Sequence, residues 1–171
     1  MNNFEKERRK QRRFEQIGTN NPRCQCGETD WRCFEATKIP HCANCCLKST
    51  IDANNEQAKQ RRLKKLGTNN PGCCMCSETD WRCIEEHHVG RRKHDPMTAQ
   101  LCANDHLRVT DMQNDHPMSN EDADQLLVRI SNFLRNLAEM LRLVAQRLIE
   151  FADVLLERAQ MPVSPTKRST S

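Results

Sequence analysis

Cys73 and Cys76 stand two residues apart, and Cys102-Ala-Asn-Asp105 repeats that spacing downstream with a carboxylate as its last member. Zinc takes four thiolate, imidazole or carboxylate donors at fixed distance, so two such pairs can close a tetrahedral site. Asp105 is the harder donor of this set, and Cys74, Cys83 or a histidine are alternatives for its place. An earlier set, Cys24, Cys26, Cys42 and Cys45, has Cys33 and Cys46 beside it. Its leading pair is one residue closer than in an ordinary zinc knuckle, which leaves recruitment of Cys33 open. The histidines carry a different chemistry. Glu86-His87-His88-Val89 reads as a short strand whose adjacent side chains face opposite ways. His106, just past the last metal-like pair, falls on the opening of a helix. Strand and helix together can bring one histidine of the pair and His106 onto one divalent cation, leaving the other histidine as a base with an ordinary pKa near 6.5.

The elements that must position these residues are written twice. Arg12–Glu35 reads RRFEQIGTNNPRCQCGETDWRCFE and Arg61–Glu85 reads RRLKKLGTNNPGCCMCSETDWRCIE, followed by HCANC and LCAND respectively. Only the second copy carries the paired histidines. Residues 1–19 read as a basic N-terminal helix ended at Gly18 before Asn21-Pro22, and 51–68 as a basic linker helix ended at Gly67 before Asn70-Pro71. Between and after them lie a first zinc unit at 20–50 and a second at 69–116. Trp31 and Trp81 are expected in the module cores, and Cys33 and Cys83 as small buried hydrophobes. Arg12, Arg13, Arg61 and Arg62 form the same RR pair before both units, a pattern suited to phosphate.

Residues 119–160 change character. Ser119 and Asp122 resemble a capping box. Leu127, Ile130, Leu134, Leu137, Leu141, Val144, Leu148, Phe151 and Leu155 then alternate three and four apart, a heptad seam. Phe133, Met140 and Val154 widen one flank, while Ser131, Ala138, Ala145 and Ala152 keep the other small. Self-association through this helix is expected, because the small modules offer little apolar surface to cover it. The tail at 161–171, MPVSPTKRSTS, has the composition of a disordered segment.

Composition sets the frame. The chain of 171 residues has 4% aromatic residues and no tyrosine, so a large conventional core is not expected. Modules with thin cores need a metal, a disulfide or a partner. Eleven cysteines with no apolar leader at the N-terminus favour metal ligation in a reducing cytoplasm over disulfides. Mean hydropathy is -0.86 and no long apolar run is present, so no membrane span is expected.

The second unit resembles the HNH endonucleases of the treble-clef, ββα-metal type in their zinc-supported form. The resemblance rests on the cysteine pair, EEHHV, the loop GRRKHDPMTAQ and LCANDH, covering Cys73–Asp115, and extends more weakly over Cys24–Cys46. It implies two treble-clef-like zinc modules, which together with the long C-terminal α-helix read from the heptad seam make a small α+β fold class; the basic helices and the C-terminal helix lie outside the resemblance. It further implies His87 and His106 as ligands of a catalytic Mg²⁺ or similar cation, and His88 as general base. Cys73, Cys76 and Cys102 would hold a structural Zn²⁺. Arg91, Arg92 and Lys93, in the connecting loop, would grip neighbouring phosphates.

Two positions depart from the family pattern. Asp105 replaces the cysteine before the last histidine, and the middle asparagine is absent, with Met97 and Thr98 in its neighbourhood. The first unit lacks the histidine pair and is expected to be inert. The expected function is a metal-dependent DNA endonuclease or nickase. The alternatives are an inactive zinc-binding DNA-binding protein, or an adaptor built from zinc modules and a coiled coil.

Overall fold

Two basic helices end in the same way. Helix α1 (Asn3–Ile17) is followed by Gly18 at φ 79°, and α3 (Glu56–Leu66) by Gly67 at φ 67°, both in the left-handed region that glycine enters without steric cost. Between them lie a 3₁₀ turn (Trp31–Cys33) and α2 (Ala43–Thr50). Then come β1 (Ile84–His88), β2 (Thr98–Cys102), α4 (Ala103–Gln113) and α5 (Gln125–Gln160). These elements come from a computed structural model, which describes residues 3–34, 41–90, 96–115 and 124–160. The linker helix begins at Glu56 rather than near Asp52. The Asp52 carboxylate instead accepts from Asn54 N (2.9 Å) in a turn, and Asn55 caps the helix by accepting from Ala58 N (2.9 Å).

The strands pair antiparallel, with Ile84 opposite Cys102 and His88 opposite Thr98, and α4 leaves β2 without a loop. The architecture is therefore small α+β: one two-stranded sheet, short helices and a long C-terminal helix. One core gathers Cys73, Met75, Ile84, Val89, Leu101, Cys102, Val109 and Met140; the other gathers Ile17, Cys24, Cys33, Phe34 and Cys42. The tryptophans do not fill these cores. Trp31 and Trp81 are half-buried, and Trp31 meets Phe14 edge-on at 6.5 Å, while Phe34 and Ile84, three residues later, take the buried places.

The repeated copies pack against each other through reciprocal contacts. Cys33 Sγ donates to Asn104 O (3.6 Å), and its counterpart Cys83 Sγ donates to Asn44 O (3.4 Å). Arg108 pairs with Glu28 (2.5 Å), and the corresponding Lys48 pairs with Glu78 (2.6 Å). Residue i meeting j while j′ meets i′ is the pattern of a two-fold interface, built here within one chain.

Helix α5 starts where the Asp124 carboxylate accepts from Leu126 N (2.9 Å) and Leu127 N (3.2 Å). Ser119 and Asp122, read as its capping box, lie outside the described residues. The heptad seam divides on folding. Leu137 and Val144 turn inward with Phe133, Met140 and Leu143 to cover the second core, whereas Leu127, Ile130, Leu134, Leu141, Leu148, Phe151 and Leu155 stay exposed. The helix thus packs on its own module along one face, so the second module offers more apolar surface to it than the sequence reading expects. None of the helices is long and apolar enough to cross a membrane, among the described residues.

Candidate functional site

Each copy assembles one cluster of four ligand atoms within 4.8 Å of one another: Cys24, Cys26, Cys42 and Cys45 in the first, Cys73, Cys76, Cys102 and Asp105 in the second. Among the described residues these are the two groups of three or more such ligands. The spacings suit zinc. A tetrahedron with Zn–S bonds of about 2.3 Å has edges near 3.8 Å. Cys26 and Cys42 lie 3.5 Å apart and Cys76 and Cys102 3.7 Å, while Asp105 Oδ2 lies 3.2 Å from Cys73 Sγ and 3.4 Å from Cys102 Sγ. Cys33 and Cys83 are not recruited; both are buried and their thiols point across the module interface. Cys74 is exposed and outside the cluster.

Local structure explains the convergence. Cys42 and Cys102 are the N-caps of α2 and α4, so Cys45 and Asp105 return one helical turn later to the same side. The close pair Cys24 and Cys26 is accommodated by a tight turn in which Gly27, at φ 93°, donates to Cys24 O (3.0 Å). Hydrogen bonds from Cys102 and Cys76 pull Cys73 below the usual thiol range, and the same contacts push Cys76 up.

Asp105 turns one oxygen, Oδ2, to the thiols of the cluster and is anchored on the other. Its Oδ1 accepts from Arg108 (2.6 Å), and Arg147 of α5 stands 3.6 Å away. Arg108 also reaches Glu28 and, at 3.0 Å, Asp30. Burial pushes Asp30 upward, but its bonds to Arg32 and the charges of Arg32 and Arg108 hold it at about 2. One guanidinium therefore joins the second zinc cluster to the first module.

The histidines meet beside this scaffold. The rings of His87 and His106 lie 4.9 Å apart at 73°. Glu85, two residues before His87 on β1, accepts from His106 Nδ1 at 2.6 Å, which leaves Nε2 of His106 with its lone pair. That bond, joined by the charges of His106 and Arg62, holds Glu85 below the usual carboxylate range against the upward push of burial. The Gln113 amide donates to His87 Nε2 (2.9 Å), marking it as the lone-pair nitrogen that a cation would take in Gln113's place. Burial, then the charges of His106 and His88, lower His87 to about 4, so its imidazole is neutral at physiological pH. His88 ends β1, half-buried, on the other side of the pleat from His87. Two imidazole rings in this arrangement, that of His87 neutral, suit a divalent cation completed by water; among the described residues no third protein ligand joins them.

Of the basic residues, Arg12 and Arg61 are exposed on α1 and α3. Arg13 lines a cleft of about 300 Å³ with Arg9, Arg12, Gln16, Trp31 and Asp111. Arg62 does more than face solvent. Its Nε and Nη2 donate to Ile84 O (3.0 and 2.8 Å), Glu85 lies 3.6 Å away, and it lines a cleft of about 210 Å³ with Lys65, Glu86 and His106. Arg91, Arg92 and Lys93 lie outside the described residues.

Sequence reasoning missed Glu85, Gln113 and Arg108. Glu85 and Gln113 carry no motif of their own and are found only once α4 lies along β1. Arg108 had a signal: it occupies the position of Lys48 when LCAND is aligned on HCANC, facing the glutamate of the repeated ETDWRC. Comparison with protein-family models, curated proteins and solved structures returns no match.

Proposed function

We propose that the chain is an HNH-type, zinc-supported endonuclease or nickase acting on DNA, with its working site in the second, treble-clef-like unit. The observation that carries this reading is the His87–His106 pair, 4.9 Å apart, with Glu85 orienting His106 and Arg62 and Lys65 lining the adjoining cleft.

In this reading His87 and His106 hold a Mg²⁺ or similar cation, which supplies positive charge to the phosphate oxygens as the bond breaks. His88 takes the proton from the attacking water, a role for which an imidazole is suited near neutral pH. Glu85 fixes the tautomer of His106. Arg62 and Lys65 neutralise the backbone beside the scissile bond, and Arg91, Arg92 and Lys93 hold neighbouring phosphates. The first unit, with Cys46 in the place of His106, is inert scaffold that adds contacts through Arg12 and Arg13. Two structural Zn²⁺ ions complete the fold. The exposed face of α5 supports self-association.

A non-catalytic DNA-binding protein is the second reading, favoured because, among the described residues, no third protein ligand stands beside His87 and His106. Manganese binding separates them before any cleavage is measured. The zinc-loaded chain is expected to bind one Mn²⁺ by electron paramagnetic resonance, with binding lost in His106→Ala. Equal binding by parent and variant, or none by either, removes the cation site on which the nuclease reading rests.

A further inference from the structure

Helix α5 carries two faces with different fates. Phe133, Leu137, Met140, Leu143 and Val144 lie on the second module's core. Away from that face, Leu127, Leu134, Leu141, Leu148 and Leu155 recur every seven residues and are 63%, 57%, 58%, 65% and 50% exposed. Ala138, Ala145 and Ala152 lie exposed between them, and from Leu148 to Gln160 every residue is exposed. Among the described residues nothing covers that last stretch, yet it includes Ile149, Phe151, Val154 and Leu156. Helices of this amphipathic type draw their stability from what covers the apolar face.

We infer that this face binds a second copy of itself, with the two α5 helices antiparallel and the two-fold axis at Leu141. Area and charge both point there. The five leucines alone leave on the order of 500 Å² in water, and their apolar neighbours bring the face towards the roughly 800 Å² per partner of a standard interface. The flanking segments, HPMSNEDA at 116–123 and MPVSPTKRSTS at 161–171, carry no run of apolar residues that would match this face. A lipid surface fits poorly, because Glu150, Asp153 and Glu157 repel anionic headgroups.

Charge sets the direction. The half at 125–142 carries Arg129, Arg135 and Arg142 against Glu139, whereas 143–160 carries Glu150, Asp153 and Glu157 against Arg147 and Arg158. Antiparallel pairing lays the acidic half on the basic half; parallel pairing lays basic on basic. It also opposes the helix dipoles and matches the leucine spacing about Leu141, with Leu127 level with Leu155 and Leu134 with Leu148.

This inference rests on the self-association in the proposed function and not on cleavage, so each fails separately. Light scattering on the full zinc-loaded chain is expected to give twice the monomer mass at micromolar concentration. The variant Leu134→Glu/Leu141→Glu/Leu148→Glu is expected to halve it with zinc content and helical circular dichroism unchanged. A monomeric parent overturns the proposal. Direction is read in the otherwise unaltered chain by placing photoreactive benzoylphenylalanine at position 155. Cross-links to the partner's 124–130 peptide are expected; cross-links to its 152–158 peptide would overturn the antiparallel arrangement.

Discussion

Asn44 and Asn104 exchange hydrogen bonds across the module boundary: Asn44 N donates to Asn104 Oδ1 (3.0 Å), and Asn104 N donates to Asn44 Oδ1 (3.1 Å). Each asparagine sits in the first turn of its helix, α2 or α4, where the backbone N–H has no partner within the helix. Each side chain thus satisfies the other copy's helix end, and Cys33 and Cys83 close the same junction on the asparagine carbonyls.

Asn44→Ala or Asn104→Ala therefore leaves a part-buried N–H unsatisfied and is expected to cost about 1–3 kcal/mol. The double variant should cost less than the sum, because the two bonds belong to one junction. Urea unfolding followed by Trp31 and Trp81 fluorescence measures this; additive costs would show that the asparagines act independently.

The charged pairs of the same interface are equivalent in sequence but not in burial. The Arg108 side chain is 7% exposed and bonded to Glu28, Asp30 and Asp105, whereas the Lys48 side chain is 36% exposed and pairs with Glu78. Arg108→Met is expected to lose about 3–5 kcal/mol by stranding buried carboxylates. Lys48→Met should lose less than about 1 kcal/mol. Equal losses in thermal or urea unfolding would contradict the assignment of Arg108 as the central tie.

Asp105 makes the second zinc site separable from the first. Asp105→Ala should release zinc from the second cluster while Cys24, Cys26, Cys42 and Cys45 retain theirs, halving the zinc content measured by mass spectrometry. Asp105→Cys should hold the ion and, in the cobalt-substituted protein, strengthen the thiolate-to-metal charge-transfer band. Full zinc content in Asp105→Ala would mean that another donor, such as Cys74, closes the tetrahedron.

Glu85 acts through His106. Glu85→Gln is expected to weaken catalytic-cation binding about 10–100-fold, the usual effect of removing a carboxylate behind a metal-binding imidazole. The zinc content should not change. Unaltered Mn²⁺ affinity would show that His106 is oriented by other contacts or does not bind the cation.

The sequence displayed the helices ended by Gly18 and Gly67, the strand carrying His87 and His88, the position of His106 on α4 and both metal clusters. These are local signals: a glycine after a helical run, a spacing of two between cysteines, a histidine pair bounded by a loop. The split of the α5 seam was not legible, because which leucines turn inward depends on how α4 and β1 present their surface, not on a period of seven. The roles of Glu85 and Gln113 were hidden for the same reason. The tryptophans misled because ring size suggested a core, whereas the chain buries Phe34 and Ile84 and leaves Trp31 and Trp81 half out. The repeated ETDWRC shows its duplication and a buried cysteine in sequence, but not that its glutamate and cysteine reach across to the other copy.

Relaxation of supercoiled plasmid by the zinc-loaded chain, with and without added Mg²⁺ or Mn²⁺ and beside His88→Ala, tests the central proposal most directly. The expected result is nicked or linear product that needs the added cation and falls about 10²–10⁴-fold in His88→Ala, with zinc content and DNA binding retained. Product formed equally well by His88→Ala would contradict the base assignment, and no product from a parent that binds both DNA and Mn²⁺ would contradict the nuclease reading itself.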